Sequence, residues 1–574
     1  MANIDSLYNL WVECADASMQ EDLKNMNKAE KKEAFGAVLK FGTAGLRGFM
    51  RPGTNGMNIH TVAQATQGLA NYLNKNYKNP SVVIARDSRH HGQEFVKVVV
   101  GVLCANNITT YFFEDVESTP CLSFSVRYLK CSAGICVTAS HNPSDYNGYK
   151  VYGPDGCQIS GEIADEISTE IENIDIFDEI KKYDYKDALE SGYAKSNDES
   201  IRQAFINACC ECSFVDSIDI QAKNDAKNLK VAYSALHGVG YPEVSKTLKQ
   251  NGFENITLVK EQIYPDGSFP TASYPNPEMP PALELGIKYA KENDCDIFIA
   301  TDPDADRLGV VVKHDGDYIN LTGNEVGVLI MNYMCECLKK KNIPLDDKVI
   351  VTTIVTTDMT ELVSKYHNIE LRRVLTGFKN IGGELAELEA LDQSDRFIFG
   401  FEESVGYMCG KHVRDKDGIS ASLIVCQMAA MYKSHGLDLV DVLEKLYKKL
   451  GYYKNDTLNF QYPGLDGQDK MSKIMTNLRN NSLTCINDIK ILKILDYTQD
   501  VEMRVVGNRK DKPHRLLPKS NVLEFQLENN NKLIIRPSGT EPKIKAYCMG
   551  FDTDKTKAIS NLDKIIAGAK SLLE

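Results

Sequence analysis

A chain of 574 residues is too long for a single hydrophobic core and divides into about three to five domains at typical sizes. Its 43% apolar and 25% charged residues are those of an ordinary globular protein. A formal charge of −13 argues against a general nucleic-acid or anionic-membrane binder, so any basic site for an anionic substrate has to be local.

The amino terminus, with Trp11, Glu13, Asp16, Glu21 and Asp22, lacks a basic segment followed by an apolar core, and no run of eighteen apolar residues occurs. A cytoplasmic protein with no membrane partner is expected. Val82-Val83-Ile84-Ala85 reads as a strand, 94–106 as a helix, Thr110-Tyr111-Phe112-Phe113 as a strand and Ala133-Gly134-Ile135-Cys136-Val137 as a buried strand. The pattern returns at Leu229-Lys230-Val231-Ala232-Tyr233, Asp296-Ile297-Phe298-Ile299-Ala300 and Lys348-Val349-Ile350-Val351-Thr352. Such alternation predicts three α/β units with mainly parallel sheets. From Asn459 onward, spaced strands such as Val522-Leu523-Glu524-Phe525 and Lys532-Leu533-Ile534-Ile535 precede an amphipathic helix, which predicts a smaller α+β domain. Polar stretches at 197–199 and 452–456 are the expected joints, and the charge run at 175–187 reads as solvated surface.

The sixteen cysteines are scattered, often within apolar segments, and read as small core residues of a reducing compartment. Cys209-Cys210-Glu211-Cys212 contains a C-x-x-C, but no second pair or nearby histidine motif completes it, so core packing is expected there rather than metal.

Four loops carry chemistry. Thr138-Ala139-Ser140-His141-Asn142-Pro143 presents a serine just beyond a buried strand, where α/β proteins place reactive groups. Asp302-Pro303-Asp304-Ala305-Asp306-Arg307 sets three carboxylates at alternate positions, hard oxygen ligands suited to one magnesium ion. Phe399-Gly400-Phe401-Glu402-Glu403-Ser404-Val405-Gly406 offers carboxylates and a hydroxyl to vicinal sugar hydroxyls, with Glu402 and Ser404 the stronger candidates. Ile535-Arg536-Pro537-Ser538-Gly539-Thr540 combines a guanidinium, two hydroxyls and a glycine able to wrap a phosphate. Gly45-Leu46-Arg47-Gly48 and Arg86-Asp87-Ser88-Arg89 read either as surface ion pairs or, if they converge on these loops, as part of a site. His90-His91 reads as surface.

These loops, in this order, resemble the α-D-phosphohexomutase family over nearly the whole chain, from Gly42-Thr43-Ala44-Gly45-Leu46-Arg47-Gly48 to Arg536-Pro537-Ser538-Gly539-Thr540. The likeness is closest to the eukaryotic phosphoglucomutase-2/phosphopentomutase branch, on F-G-T-A-G-L-R-G, N-G-Y-K-V-Y-G-P-D-G, Y-P-N-P-E and G-F-E-E-S-V-G-Y. Ser404 is more typical of glucose and mannose enzymes. The resemblance implies three similar mixed-sheet α/β domains and a C-terminal α+β domain around a central cleft. The boundaries expected are 1–207 with the phosphoserine loop, 208–324 with the metal loop, 325–452 with the sugar loop and 453–574 with the phosphate loop.

It further implies that Ser140 is a phosphoserine and that Asp302, Asp304 and Asp306 hold magnesium against its phosphate. Arg47, His141 and Lys150 match residues around the reacting phosphoryl group, and Lys379 in Thr376-Gly377-Phe378-Lys379 matches a basic residue near the transferring oxygens. Arg307, Thr376, Gly377, Glu402 and Ser404 would bind the sugar, and Arg536, Ser538, Gly539 and Thr540 the non-reacting phosphate. The expected activity is a mutase that interconverts sugar 1-phosphate with glucose 6-phosphate or a pentose 5-phosphate through a sugar bisphosphate such as glucose 1,6-bisphosphate. Lys150, nearest Ser140 in the chain, ranks ahead of Lys379 as proton carrier. A glucose-1,6-bisphosphate synthase and a non-catalytic sugar-phosphate scaffold are the alternatives. Small sugar phosphates are the expected partners, with no nucleic acid, and the chain is expected as a monomer, with a dimer as alternative.

Overall fold

Continuous apolar runs in this chain become strands buried on both faces, and the polar residues at their ends become the loops of interest. The computed structural model describes residues 4–42, 45–197, 199–215, 220–462, 467–481, 483–509, 512–538 and 543–574. The first sheet contains β1 (Gly45–Phe49), β2 (Ser81–Arg86), β3 (Thr109–Phe112), β4 (Ala133–Val137), β5 (Tyr146–Tyr152) and β6 (Ala194–Ser196), in the order β1-β5-β4-β2-β3-β6. β2 pairs in parallel with β3 and β4, and every residue of β4 is buried. β5 returns antiparallel to β4 and β1, which sets Arg47 opposite Gly148.

The second sheet runs β11-β10-β9-β7-β8, from β7 (Val231–Ser234), β8 (Ile256–Leu258), β9 (Ile297–Thr301), β10 (Leu308–His314) and β11 (Asp317–Leu321). β9 and β10 are antiparallel with Thr301 opposite Leu308, so the whole aspartate motif is the turn of a hairpin. A third sheet is built on β12 (Val349–Thr353), parallel to both β13 (Glu370–Val374) and β14 (Phe397–Glu402). The short β15 (Gly406–Met408) forms a bridge from Gly406 to Arg307.

The last sheet is antiparallel throughout. Its strands β16 (Tyr452–Gln461), β17 (Cys485–Ile486), β18 (Ile489–Asp496), β20 (Leu523–Leu527), β21 (Lys532–Pro537) and β22 (Lys543–Asp552) lie in the order β16-β22-β21-β20-β18-β17. The intervening β19 (Arg504–Val506) pairs instead with β13 of the third sheet. Residues 452–456, where a joint is expected, open β16, which pairs along its full length with β22. Its exposed positions tolerate the polar side chains that made the segment read as a linker.

The chain forms two compact units. The first comprises Met1–Asn320, Leu385–Ala390 and Gly406–Ala430, and the second Leu321–Glu384, Leu391–Val405 and Met431–Glu574. Among the described residues no helix is long and apolar enough to cross a membrane.

Candidate active site

Ser140 sits where β4 ends, held in a left-handed backbone conformation at φ 52°. Such a conformation costs a non-glycine residue roughly 1–3 kcal/mol and persists only where its surroundings enforce it. Arg89 does much of that enforcing. Its guanidinium donates to the carbonyls of Ser140 (2.6 Å), Pro143 (2.6 Å), Tyr146 (2.9 Å) and Asn142. The Arg89 side chain is fully buried and ion-paired to an equally buried Asp87 at 3.2 Å. Asp87 also accepts from the Thr138 hydroxyl at 2.6 Å, and Thr138 Oγ1 in turn accepts from the Ser140 amide at 2.8 Å. The Arg86-Asp87-Ser88-Arg89 motif therefore converges on the serine loop, with Arg89 shaping it from beneath.

The Ser140 hydroxyl donates to Asp302 Oδ2 at 2.8 Å and lies 3.1 Å from His141 Nδ1. Burial, with Arg307 and Arg47 nearby, pushes the His141 imidazolium well below its usual range, so the ring is neutral near pH 7. Arg47 is exposed on β1 and donates to Asn142 Oδ1 at 3.2 Å.

In the hairpin turn, Ala305 takes φ 56°, and Asp302 Oδ1 accepts the Arg307 amide at 3.0 Å. Asp304 Oδ2 accepts from Lys150 Nζ and from the Thr119 hydroxyl, both at 2.9 Å, and the Asp304 carbonyl accepts the Thr119 amide at 3.0 Å. Arg307 lies 3.9 Å from Glu278 and 4.0 Å from Asp306. The turn packs on the Leu236-His237-Gly238-Val239-Gly240 loop, where the Val239 amide donates to the Pro303 carbonyl at 3.0 Å. A Cβ on Gly238 would stand 2.4 Å from the Pro303 Cα, so only glycine allows the approach.

The three aspartates are buried, and their carboxylate oxygens lie within 4.8 Å of one another. Among the described residues Asp304 Oδ1 and Asp306 Oδ1 are buried without a hydrogen-bond partner. Burial, reinforced by Asp304 and Asp306, pushes the Asp302 carboxyl well above the carboxylate range, and burial with Asp304 raises Asp306. For Asp304 burial acts upward, but Lys150 outweighs it and holds the group below that range. Crowded carboxylates with orphaned oxygens fit a hard divalent cation such as magnesium, which would neutralise the repulsion and use those lone pairs.

Lys416, which motif reading missed, reaches Asp306 at 3.0 Å and Asp415 at 3.0 Å. Lys150 lies 4.0 Å from Asp306. For Lys150 burial acts downward, but Asp304 and Asp306 outweigh it and hold the ammonium above its usual range. Lys416 and Thr119 lie far from the triplet in the chain and carry no local signal. Only the polar Arg414-Asp415-Lys416-Asp417 run marks the former.

The remaining predicted residues belong to the second unit. Glu402 ends β14 with its side chain buried, and its Oε1 accepts the Gly377 amide at 2.7 Å, which joins the sugar loop to the Thr376-Gly377-Phe378-Lys379 turn. Gly377 has φ 114°, a conformation strained for any other residue. Thr376 Oγ1 is buried without a hydrogen-bond partner among the described residues. Lys379 is half-buried, and burial lowers its ammonium from the usual range. Val405, after Ser404, is left-handed at φ 52° and turns the chain back. Arg536 lies on β21, and the Ser538 amide donates to the Lys543 carbonyl at 2.8 Å, closing the neck of the phosphate loop. Gly539 and Thr540 lie outside the described residues. Tyr547 on β22 was not singled out by sequence. Burial raises its phenol first, Glu403 adds to that and Arg536 opposes it, so the sugar loop and the phosphate strand share this ring.

The family descriptions that match the chain are phosphoglucomutase/phosphomannomutase alpha/beta/alpha domain I over residues 38–177, domain II over 204–316, domain III over 322–450 and the C-terminal domain over 501–561. The phosphoglucomutase of Staphylococcus saprophyticus is 36% identical over 97% of this chain and 97% of its own. That of Staphylococcus epidermidis is 34% identical over 95% and 97%. Two crystal structures share the fold at 19% identity. Pp63/parafusin, a Paramecium phosphoglucomutase in an open form, has TM-score 0.68 over 93% of this chain and 95% of its own. A phosphoglucomutase/phosphomannomutase family protein of Burkholderia thailandensis has TM-score 0.62 over 93% and 97%. The four matched domains, in order along a chain whose Ser140 meets a buried aspartate triplet, show that this protein belongs to the phosphoglucomutase/phosphomannomutase family of sugar-phosphate isomerases.

Proposed function

We propose that the protein is a mutase that moves a phosphoryl group between C1 and C6 of glucose phosphate, or C1 and C5 of ribose and deoxyribose phosphates, by way of phosphorylated Ser140 and a sugar bisphosphate. The observation that carries this reading is the 2.8 Å contact between the Ser140 hydroxyl and Asp302, within a triplet that keeps two orphaned carboxylate oxygens. Phosphoryl transfer requires positioning and charge neutralisation more than covalent assistance, and these groups offer both.

Asp302, Asp304 and Asp306 would hold magnesium, which when bound supplies positive charge for the transferring oxygens. The enzyme starts with Ser140 phosphorylated. The Ser140 Oγ–P bond breaks as a sugar hydroxyl oxygen bonds to phosphorus, and the hydroxyl proton passes by way of a lysine to Ser140 Oγ. After the bisphosphate turns over, its other O–P bond breaks as Ser140 Oγ bonds to that phosphorus, and the serine proton passes by way of the lysine to the product oxygen. Of the two candidates, burial alone moves Lys379 toward neutrality, which favours it as the carrier, while Lys150 and Arg47 act as fixed charges. His141, neutral, orients Ser140 Oγ. Glu402, Ser404, Thr376, Gly377 and Arg307 read the sugar, and Arg536, Ser538, Gly539 and Thr540 grip whichever phosphate is idle.

The test is a coupled assay on glucose 1-phosphate with magnesium and a trace of glucose 1,6-bisphosphate. Ser140→Ala should abolish turnover, and a near-normal rate in that variant would sink the mechanism. Comparing kcat/KM on glucose, mannose, ribose and deoxyribose 1-phosphates ranks the sugars. A faster reaction with an acyl phosphate donor would instead identify a bisphosphate synthase.

A further inference from the structure

The C-x-x-C near the end of helix Glu199–Glu211, expected to be plain core packing, has partners that are remote in sequence. Cys209 Sγ lies 3.6 Å from His412 Nε2 and 3.6 Å from Asp417 Oδ2, and those two are 2.9 Å apart. Cys209 and Asp417 are fully buried, and the His412 side chain is 8% exposed. A tetrahedral zinc ion bound at about 2.3 Å to sulfur and about 2.0–2.2 Å to nitrogen and oxygen spaces its ligands about 3.5–3.6 Å apart for the sulfur edges and about 3.3 Å for the nitrogen–oxygen edge. The three atoms already stand close to one face of that tetrahedron.

The surroundings match as well. Cys212 Sγ lies 3.5 Å from His412 Nδ1, so the second ring nitrogen has a partner that helps hold the ring with Nε2 facing Cys209 and Asp417. Asp417 is braced by the Ile419 and Ser420 amides, which donate to its Oδ1 at 2.8 and 3.2 Å and leave Oδ2 directed at the cluster. Phe205 packs its ring 5.8 Å from that of His412. One thiolate, one imidazole and one carboxylate make a borderline-soft donor set that suits zinc and disfavours magnesium.

We propose that Cys209, His412 and Asp417 form a second metal site, for a zinc-class divalent cation, distinct from the aspartate triplet. On binding, the Cys209 thiol proton and any proton on His412 Nε2 are released to solvent, and water completes the tetrahedron. The ion staples the end of helix Glu199–Glu211 to the segment whose Lys416 touches Asp306. Its role is therefore to hold that lysine's loop in place.

The experiment loads chelator-treated full-length protein with one equivalent of zinc in excess magnesium and records the zinc X-ray absorption fine structure. One sulfur with nitrogen and oxygen scatterers is the expected first shell. An all-oxygen shell, the signature of zinc on the aspartate triplet, overturns the proposal, as does failure to retain zinc after gel filtration. Cobalt in its place should give a thiolate-to-metal charge-transfer band that is absent in Cys209→Ser and in His412→Gln. A band that persists in both variants also overturns it. Cys212→Ser should keep the band while zinc affinity falls about ten- to a hundredfold, the cost of losing a partner behind a ligand.

Discussion

Ser140 depends on an arginine that the sequence marked only as ambiguous. Arg89 is buried, paired with a buried aspartate and bonded to four carbonyls of the serine loop, so its loss leaves Asp87 an uncompensated charge. Breaking such a pair from one side typically costs about 3–5 kcal/mol. Arg89→Met should lower stability by about that amount in denaturant melts and should also slow turnover, because Ser140 relaxes from its left-handed conformation. Wild-type stability with wild-type turnover would show that the loop holds its own shape. Lys379 makes a separate case. If it carries the proton, Lys379→Met should reduce kcat on the order of a hundred- to a thousandfold. The limb of the pH–rate profile that it controls should vanish, whereas a lysine that merely attracts phosphate would raise KM and leave the profile's shape intact.

At the level of elements, the aspartate motif works because it is the turn of the β9–β10 hairpin and rests on the Gly238 loop. A side chain at Gly238 meets the Pro303 backbone, which cannot move without shifting Asp302 and Asp304. Gly238→Val should therefore weaken magnesium activation at least tenfold, measured as the concentration for half-maximal rate, while distant elements keep their far-ultraviolet dichroism. Unchanged activation would mean that the turn is set by the hairpin alone. The strands were legible where they are apolar, as at β4, β9 and β12, because burial on both faces leaves an unbroken hydrophobic run. β16 was not, since a strand with an exposed face carries the composition of a linker. β19 was not either, because three residues make no period and their partner β13 lies over a hundred positions earlier.

Across the whole molecule, the motifs that announced themselves are those in which consecutive residues act together, as in the serine, aspartate, sugar and phosphate loops. Thr119, Lys416, Tyr547 and the His412–Asp417 partners of Cys209 act across more than a hundred positions, and no motif around them foretells such meetings. The division into two units has a thermodynamic consequence, since they need not unfold as one. In the second unit His367 is buried, with Nε2 at 2.9 Å from Asn332 Oδ1, the Tyr366 ring against it, and Lys339 and Lys449 adding positive charge. Burial first, and those lysines second, lower its imidazolium from 6.5 to about 4. The unfolded chain then binds a proton that the folded unit refuses. Stability is fully present above about pH 6.5, falls as the pH drops toward about 4, and loses nothing further from this group below that. The window is worth roughly 3 kcal/mol, from 1.36 kcal/mol per pH unit. Carboxylates held low by ion pairs, such as Asp358 beside Lys532 and Arg373, act in a more acidic window and do not overlap with it. Calorimetry between pH 7 and pH 4.5 should show the second unit's transition moving to lower temperature, and His367→Gln, which retains a donor to Asn332, should flatten that dependence. An equally steep acid limb in the variant would assign the proton uptake to other groups.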